Sequence, residues 1–162
     1  MREALARLRR DPASAASDAA APAPALRQVG AIPCRFAGGE LQLLLVTSRR
    51  TGRWIFPKGN LDPGESAGRA AAREAYEEAG VSGAIADAPI GAYRTRRVRA
   101  RTELAEVEMY VLIVSDEHET WPERGERKRR WVTLDQARRM IRTPGLLRLA
   151  EQAERRFLSL AA

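Results

Sequence analysis

The chain has 162 residues, 44% of them hydrophobic, and a formal net charge of +7, enough for one domain with its own core and no need of a second. Its longest apolar stretches, residues 41–46 and 109–114, fall far short of the roughly 20 residues of a membrane helix, so no membrane partner is expected. Cys34 is the only cysteine and His118 the only histidine, which excludes an internal disulfide and a multi-cysteine metal site and leaves Ser-His or Cys-His catalysis with no visible group to orient its base.

The N-terminus opens on charged residues without the apolar run of a secretory signal, so a cytoplasmic location is expected. Residues 1–25 combine a short charged helical stretch with a tract rich in Ala, Ser and Pro; they read as a flexible leader preceding a domain over 26–162. Apolar runs at 28–36 and 40–47, separated by Ala37-Gly38-Gly39, predict a hairpin. Thr51-Gly52 and the short segment Trp54-Ile55-Phe56 follow, and then a loop holding Pro57, Gly59, Asn60, Pro63 and Gly64, a density that breaks regular structure. The alternating aromatics Trp54 and Phe56 are expected in the core rather than stacked on a base. Residues 66–79, rich in Ala, Glu and Arg, predict a helix that Gly80 stops. Strands are expected at 90–96, 107–114 and 130–132, and helices at 134–141 and 146–160, with Thr133 or Asp135 capping the first of these. Early strands, one central helix, more strands and late helices describe an α+β or α/β sandwich.

Arginine supplies most of the positive charge, concentrated at residues 94–101 and 124–130. Such surfaces attract phosphorylated small molecules or nucleic acid, although a charge run is more commonly a solvated face.

Chemistry is concentrated in residues 59–81, GNLDPGESAGRAAAREAYEEAGV. On a helix Glu74, Glu77 and Glu78 stand at i, i+3 and i+4 and project from one face, where like charges repel by a few tenths of a kcal/mol per pair. A hard divalent cation with oxygen ligands relieves that repulsion while bridging to phosphates; the plainer alternative is an acidic face paired with Arg69 and Arg73. Two neighbours favour the metal: Ala70, Ala71 and Ala75 let the helix lie close to a sheet, and the loop 59–64 delivers backbone groups to the helix start.

This stretch resembles the Nudix box, G, five residues, E, seven residues, R-E-apolar-x-E-E-x-G-apolar, with Gly59, Glu65, Arg73, Glu74, Ala75, Glu77, Glu78, Gly80 and Val81 at every required position. At ordinary residue frequencies such a match arises by chance on the order of once in a million chains of this length. The resemblance implies a Nudix-type α/β/α sandwich with a mixed central sheet and a catalytic loop-helix. It implies cleavage of a phosphoanhydride bond by activated water, with Mg²⁺, or Mn²⁺ as the alternative, holding the polyphosphate. By matched position Glu74, Glu77 and Glu78 are the catalytic carboxylates. Gly59, through its carbonyl, and the same three glutamates are the metal ligands, Glu74 serving as ligand or as the base that orients the water. Glu65 and Arg73 tie the loop to the helix. Glu123 and Glu126 are candidates for a further carboxylate from outside the box.

The segments Arg53-Trp54-Ile55-Phe56-Pro57-Lys58-Gly59, Trp121-Pro122-Glu123 and Arg127-Lys128-Arg129-Arg130-Trp131 resemble the diadenosine polyphosphate and diphosphoinositol polyphosphate hydrolase branch. A substrate with five or more phosphates needs many forked cationic donors, and Arg50, Arg53 and Lys58, with the arginines of 94–101, are the candidates to bind it. Alternation on a strand would put Arg94 and Arg96 on the other face from Arg97, Arg99 and Arg101. Rival readings are an RNA 5′-end or nucleoside triphosphate pyrophosphohydrolase, a non-catalytic module that senses a phosphorylated metabolite, and a basic nucleic-acid-binding domain. The sensor usually lacks a box carboxylate, and all are present here. No groove-reading helix or aromatic RNA platform is visible, so DNA is not an expected partner. The sequence leaves the oligomeric state open.

Overall fold

The computed structural model describes residues 26–96 and 104–161. The expected leader at 1–25 and the arginines Arg97, Arg99 and Arg101 lie outside the described residues.

Among the described residues eight strands form one mixed sheet: β1 (Leu26–Ala37), β2 (Glu40–Thr47), β3 (Trp54–Ile55), β4 (Lys58–Asn60), β5 (Val81–Ile85), β6 (Gly91–Arg96), β7 (Leu104–Glu117) and β8 (Arg129–Val132). Helices α1 (Ala67–Ala79), α2 (Leu134–Met140) and α3 (Pro144–Ala161) accompany it. The hairpin β1–β2 turns at Gly38 and Gly39, both at positive φ (62° and 80°), a conformation that glycine adopts without a Cβ penalty. At the centre β1 runs parallel to β7, from Leu26 opposite Ala105 to Cys34 opposite Ile113. On its other side β1 is shared by β4 at its start and β2 at its end.

Period-two alternation sorts the strands onto two cores. Val29 and Ala31 of β1, Leu44 and Val46 of β2, and Tyr110 and Leu112 of β7 face α1, meeting Ala70, Ala71, Ala75 and Ala79. Ile32, Cys34, Leu43, Leu45, Phe56, Val107 and Met109 face α2 and α3, meeting Leu134, Ala137, Ile141, Leu146, Leu149, Ala150 and Ala153. Helix, sheet and helices therefore stack as the α/β/α sandwich. The alanine face of α1 matters for the site: four fully buried alanines bring the helix backbone close to the sheet and hold its glutamates over the strand ends. Phe56 is buried and Trp54 packs against the same core, as expected of both.

Local chemistry fixes the ends of α1. Ser66 is its N-cap, its hydroxyl accepting from the Arg69 amide, and Gly80 ends it in the left-handed region at φ 66°. Thr133 caps α2 in a reciprocal capping box with Gln136. β5 follows Gly80 directly, pairing antiparallel to β7, and the residues expected to form only a loop include β4, which pairs with β1.

Candidate active site

Helix α1, the β4 loop and the segment between β7 and β8 enclose a cleft of about 420 Å³. Glu74, Glu77, Glu78 and Glu123 line it together with Gly59 and Asn60, and Arg49, Arg50, Lys58 and Arg127 line it alongside Gln28, Ser48 and Ile55. Acid and base thus share one concave surface. Arg53 is not among the lining residues, and Glu126 turns to a surface ion pair with Arg49 at 3.3 Å. Arg94, the first of the basic run, sits 4.0 Å from Glu106 on β7 and lines a separate hollow.

Packing against the sheet buries the glutamates unequally. Glu74 is 7% and Glu78 6% exposed, whereas the Glu77 side chain stays 39% exposed. Burial pushes the Glu78 carboxyl up to about 8, because the nearby Glu74 and Glu123 charges add to desolvation and outweigh the pull of Arg127 and of the Lys58 amide. Burial likewise raises Glu74, against the pull of Arg73. The Glu65 carboxyl is lowered, chiefly by the Arg73 guanidinium that donates to it.

Two arginines hold these acids. Arg73 donates to both oxygens of Glu65 (Nε at 3.0 Å to the nearer), to Glu74 (2.9 Å), to Glu77 (3.2 Å) and to the Asn60 carbonyl (3.0 Å). It therefore ties the β4 loop to the helix. Arg127, its side chain 7% exposed, donates to Glu78 (3.0 Å), Glu123 (3.1 Å) and the Thr47 carbonyl (3.0 Å). Of the two arginines in the plainer reading of the acidic face, Arg73 does pair with the glutamates. Among the described residues no three acidic, His or Cys side chains converge on one cation-holding point; the carboxylates are paired with the arginines instead.

Gly59 has a specific steric role. A Cβ there would run into the Glu74 carboxyl, so only glycine lets the loop backbone and that carboxyl share one corner of the cleft. The donor set in that corner is all oxygen, which suits a hard divalent cation rather than a soft one.

Sequence reasoning singled out Glu123 only alongside Glu126, and gave Arg49 and Arg127 no site role. Arg127 stands 49 positions from Glu78, beyond any helical or strand periodicity, and only its place in the basic 124–130 run and in the segment Arg127-Lys128-Arg129-Arg130-Trp131 marked it. Elsewhere, Ser82 and His118 meet at 3.0 Å with Tyr76 edge-on to the imidazole, but neither lines the cleft. Cys34 is buried in the core, which pushes its thiol up to about 12 and keeps it protonated.

The NUDIX domain family model matches residues 24–158. The chain belongs to the Nudix hydrolase family. Among curated Nudix relatives, Nudix hydrolase 21, chloroplastic, of Arabidopsis thaliana is 37% identical over 113 residues, covering 67% of this chain and 56% of that protein. Nudix hydrolase 16, mitochondrial, of the same plant is 35% identical over 130 residues, covering 71% and 72%. Diphosphoinositol polyphosphate phosphohydrolase 2 of Rattus norvegicus is 37% identical over 101 residues, covering 61% and 53%. The chain spans a little over half the length of most of these relatives. Two solved structures share the Nudix fold. A C. elegans Ap4A hydrolase in a binary complex has a TM-score of 0.63 at 23% identity, covering 83% of this chain and 98% of that one. The NUDIX domain of Shewanella oneidensis NrtR, complexed with ADP ribose, has a TM-score of 0.65 at 22% identity, covering 82% and 88%.

Proposed function

We propose that this Nudix chain is a divalent-metal-dependent hydrolase of a phosphoanhydride bond in a polyphosphorylated small molecule, with a diadenosine polyphosphate or a diphosphoinositol polyphosphate as its substrate. One observation carries the reading: four carboxylates and four cationic side chains line a single cleft of about 420 Å³. Carboxylates alone would suit a cation, and cations alone a phosphate. Their juxtaposition suits an ion and a polyphosphate together.

Glu74, Glu77, Glu78 and the Gly59 carbonyl are the proposed holders of Mg²⁺ or Mn²⁺, with Glu123 completing the acidic wall. A bound ion supplies charge neutralisation on the phosphate oxygens and acidifies water. The residues themselves do the rest. Glu74, as ligand or as base, orients the attacking water and takes its proton. Arg50 and Lys58 orient the phosphates from the opposite wall, while Glu65 and Arg73 keep the Gly59 loop fixed to α1. Arg53, the third candidate for phosphate binding, stands outside this wall and is assigned no contact there.

The test incubates purified protein with Mg²⁺ and a panel of diadenosine tetra-, penta- and hexaphosphate, a diphosphoinositol polyphosphate, nucleoside triphosphates, a nucleotide sugar and triphosphorylated RNA. The expected result is cleavage of a diadenosine or diphosphoinositol compound, slowed about a hundredfold or more in Glu78→Gln. Preferential cleavage of the triphosphorylated RNA or a nucleoside triphosphate would replace the substrate assignment, and polyphosphate binding without turnover in Mg²⁺ or Mn²⁺ would make the chain a sensor.

A further inference from the structure

We propose that Arg129 and Trp121 are positioning residues, a clamp that fixes the last turn of α1, and with it Glu77 and Glu78, against the segment that carries Glu123 and Arg127. The role given to those four residues rests on the proposed function; the clamp itself rests on geometry.

The last carbonyls of any helix lack intrahelical donors, and a cation there complements the helix dipole. α1 has no basic residue in its own last turn. Donors arrive instead from the segment between β7 and β8. Arg129, at the start of β8, donates to the carbonyls of Ala79 (2.8 Å) and Gly80 (3.4 Å). The His118 amide donates to Gly80 (2.8 Å), and the Glu123 amide to Glu77 (3.0 Å). The same guanidinium lies 3.9 Å from the Trp121 ring centroid, a cation–π arrangement that orients it.

Trp121 is placed for its ring face. Its indole N–H is the one buried side-chain donor with no hydrogen-bond partner among the described residues, a position that would favour phenylalanine if only bulk were needed. The ring occupies the space that a Cβ on Gly80 would take. Gly80 is thereby required twice, by its positive φ of 66° and by the indole. Between Trp121 and Arg129 the chain sends Glu123 and Arg127 into the cleft, so the clamp sets the separation between the two acidic walls. Neither clamp residue lines the cleft, and both act through the residues that do.

The experiment compares wild type with Arg129→Met, Arg129→Lys and Trp121→Phe by hydrogen exchange of the α1 amides and by Mn²⁺ binding followed by electron paramagnetic resonance. Arg138→Met, which breaks the surface pairs with Asp135 and Glu151, is the charge-matched control. Arg129→Met is expected to speed exchange at residues 76–81 and weaken Mn²⁺ binding about tenfold or more, with the control at wild-type values. Arg129→Lys, which keeps the charge and one donor, should recover part of both, and Trp121→Phe, which keeps a ring but weakens its hold on the guanidinium, should show a smaller shift of the same kind at residues 76–81. If Arg129→Met fails to fold, Arg129→Lys carries the comparison, with a smaller shift confined to 76–81. Wild-type exchange and Mn²⁺ affinity in Arg129→Met, or a loss of protection spread evenly over the sheet, overturns the clamp. The exchange effect in Arg129→Met beside a wild type that binds no Mn²⁺ upholds the clamp and sinks the metal reading instead.

Discussion

Burial makes Glu78 a costly residue in the metal-free protein. A carboxyl whose folded pKa lies above its unfolded value favours folding only while it carries its proton. For Glu78 that condition is fully met below about 4.5 and is lost as pH rises through about 8. Ionisation in the fold then works against the desolvation that raised it, and the Arg127 ion pair at 3.0 Å offsets only part. Glutamine has nearly the same shape and no proton to lose. In the presence of chelator, Glu78→Gln should therefore gain stability relative to wild type steadily from pH 4.5 to 8 and level off above. The loss of Arg127's charged partner sets the offset between the two curves, so the slope is what counts. Thermal unfolding across that range reads it; parallel curves would mean that Arg127 already neutralises the burial.

At the scale of the element, α1 is positioned by its two ends as much as by its alanine face. Removing the N-cap hydroxyl in Ser66→Ala should cost about 1 kcal/mol in urea unfolding. Gly80→Ala should cost more, ~2 kcal/mol or above, because it combines a left-handed φ with a collision against Trp121. Equal losses in the two variants would show that the indole moves aside freely. The C-terminal end of α1 was legible in the sequence, since Gly80 acts through local chemistry that any helix shares, whereas Ser66 was read as the first helical residue rather than as the N-cap it is. The hairpin turn and the Thr133 cap were legible for the same reason. β5 was not, because its pattern of Ser, Gly and Ala has no apolar alternation and its existence depends on pairing with β7. β4 was hidden behind Gly59 and Asn60, which read as loop although β1 recruits them into the sheet. In the site, the box residues are bound by spacings that a helix translates directly into proximity. Arg127 and Glu123 reach the cleft only through the parallel β1–β7 register and the turn beyond it, and no local pattern encodes that.

For the whole molecule, the cleft couples stability to its proposed ligand. Two buried carboxylates, Glu74 and Glu78, share a corner with Gly59, and in the described geometry arginines balance them. A cation that binds the folded chain and not the unfolded one stabilises it by mass action, about 2.7 kcal/mol at a hundredfold excess over its dissociation constant. For a chain of this length that corresponds to a rise of roughly 5–10 °C in the unfolding midpoint. Because a carboxylate must be ionised to hold a metal, and burial pushes Glu78 up to about 8, a fixed Mg²⁺ concentration should raise the midpoint more at pH 8.5 than at pH 6. Metal-free protein titrated with Mg²⁺ in a thermal scan at the two pH values tests this, with Glu78→Gln beside it. The variant should lose most of the rise at both. A rise that is independent of pH and survives in Glu78→Gln would place the cation elsewhere on the surface, and the acidic wall of the cleft would then have to be read as arginine-paired scaffolding.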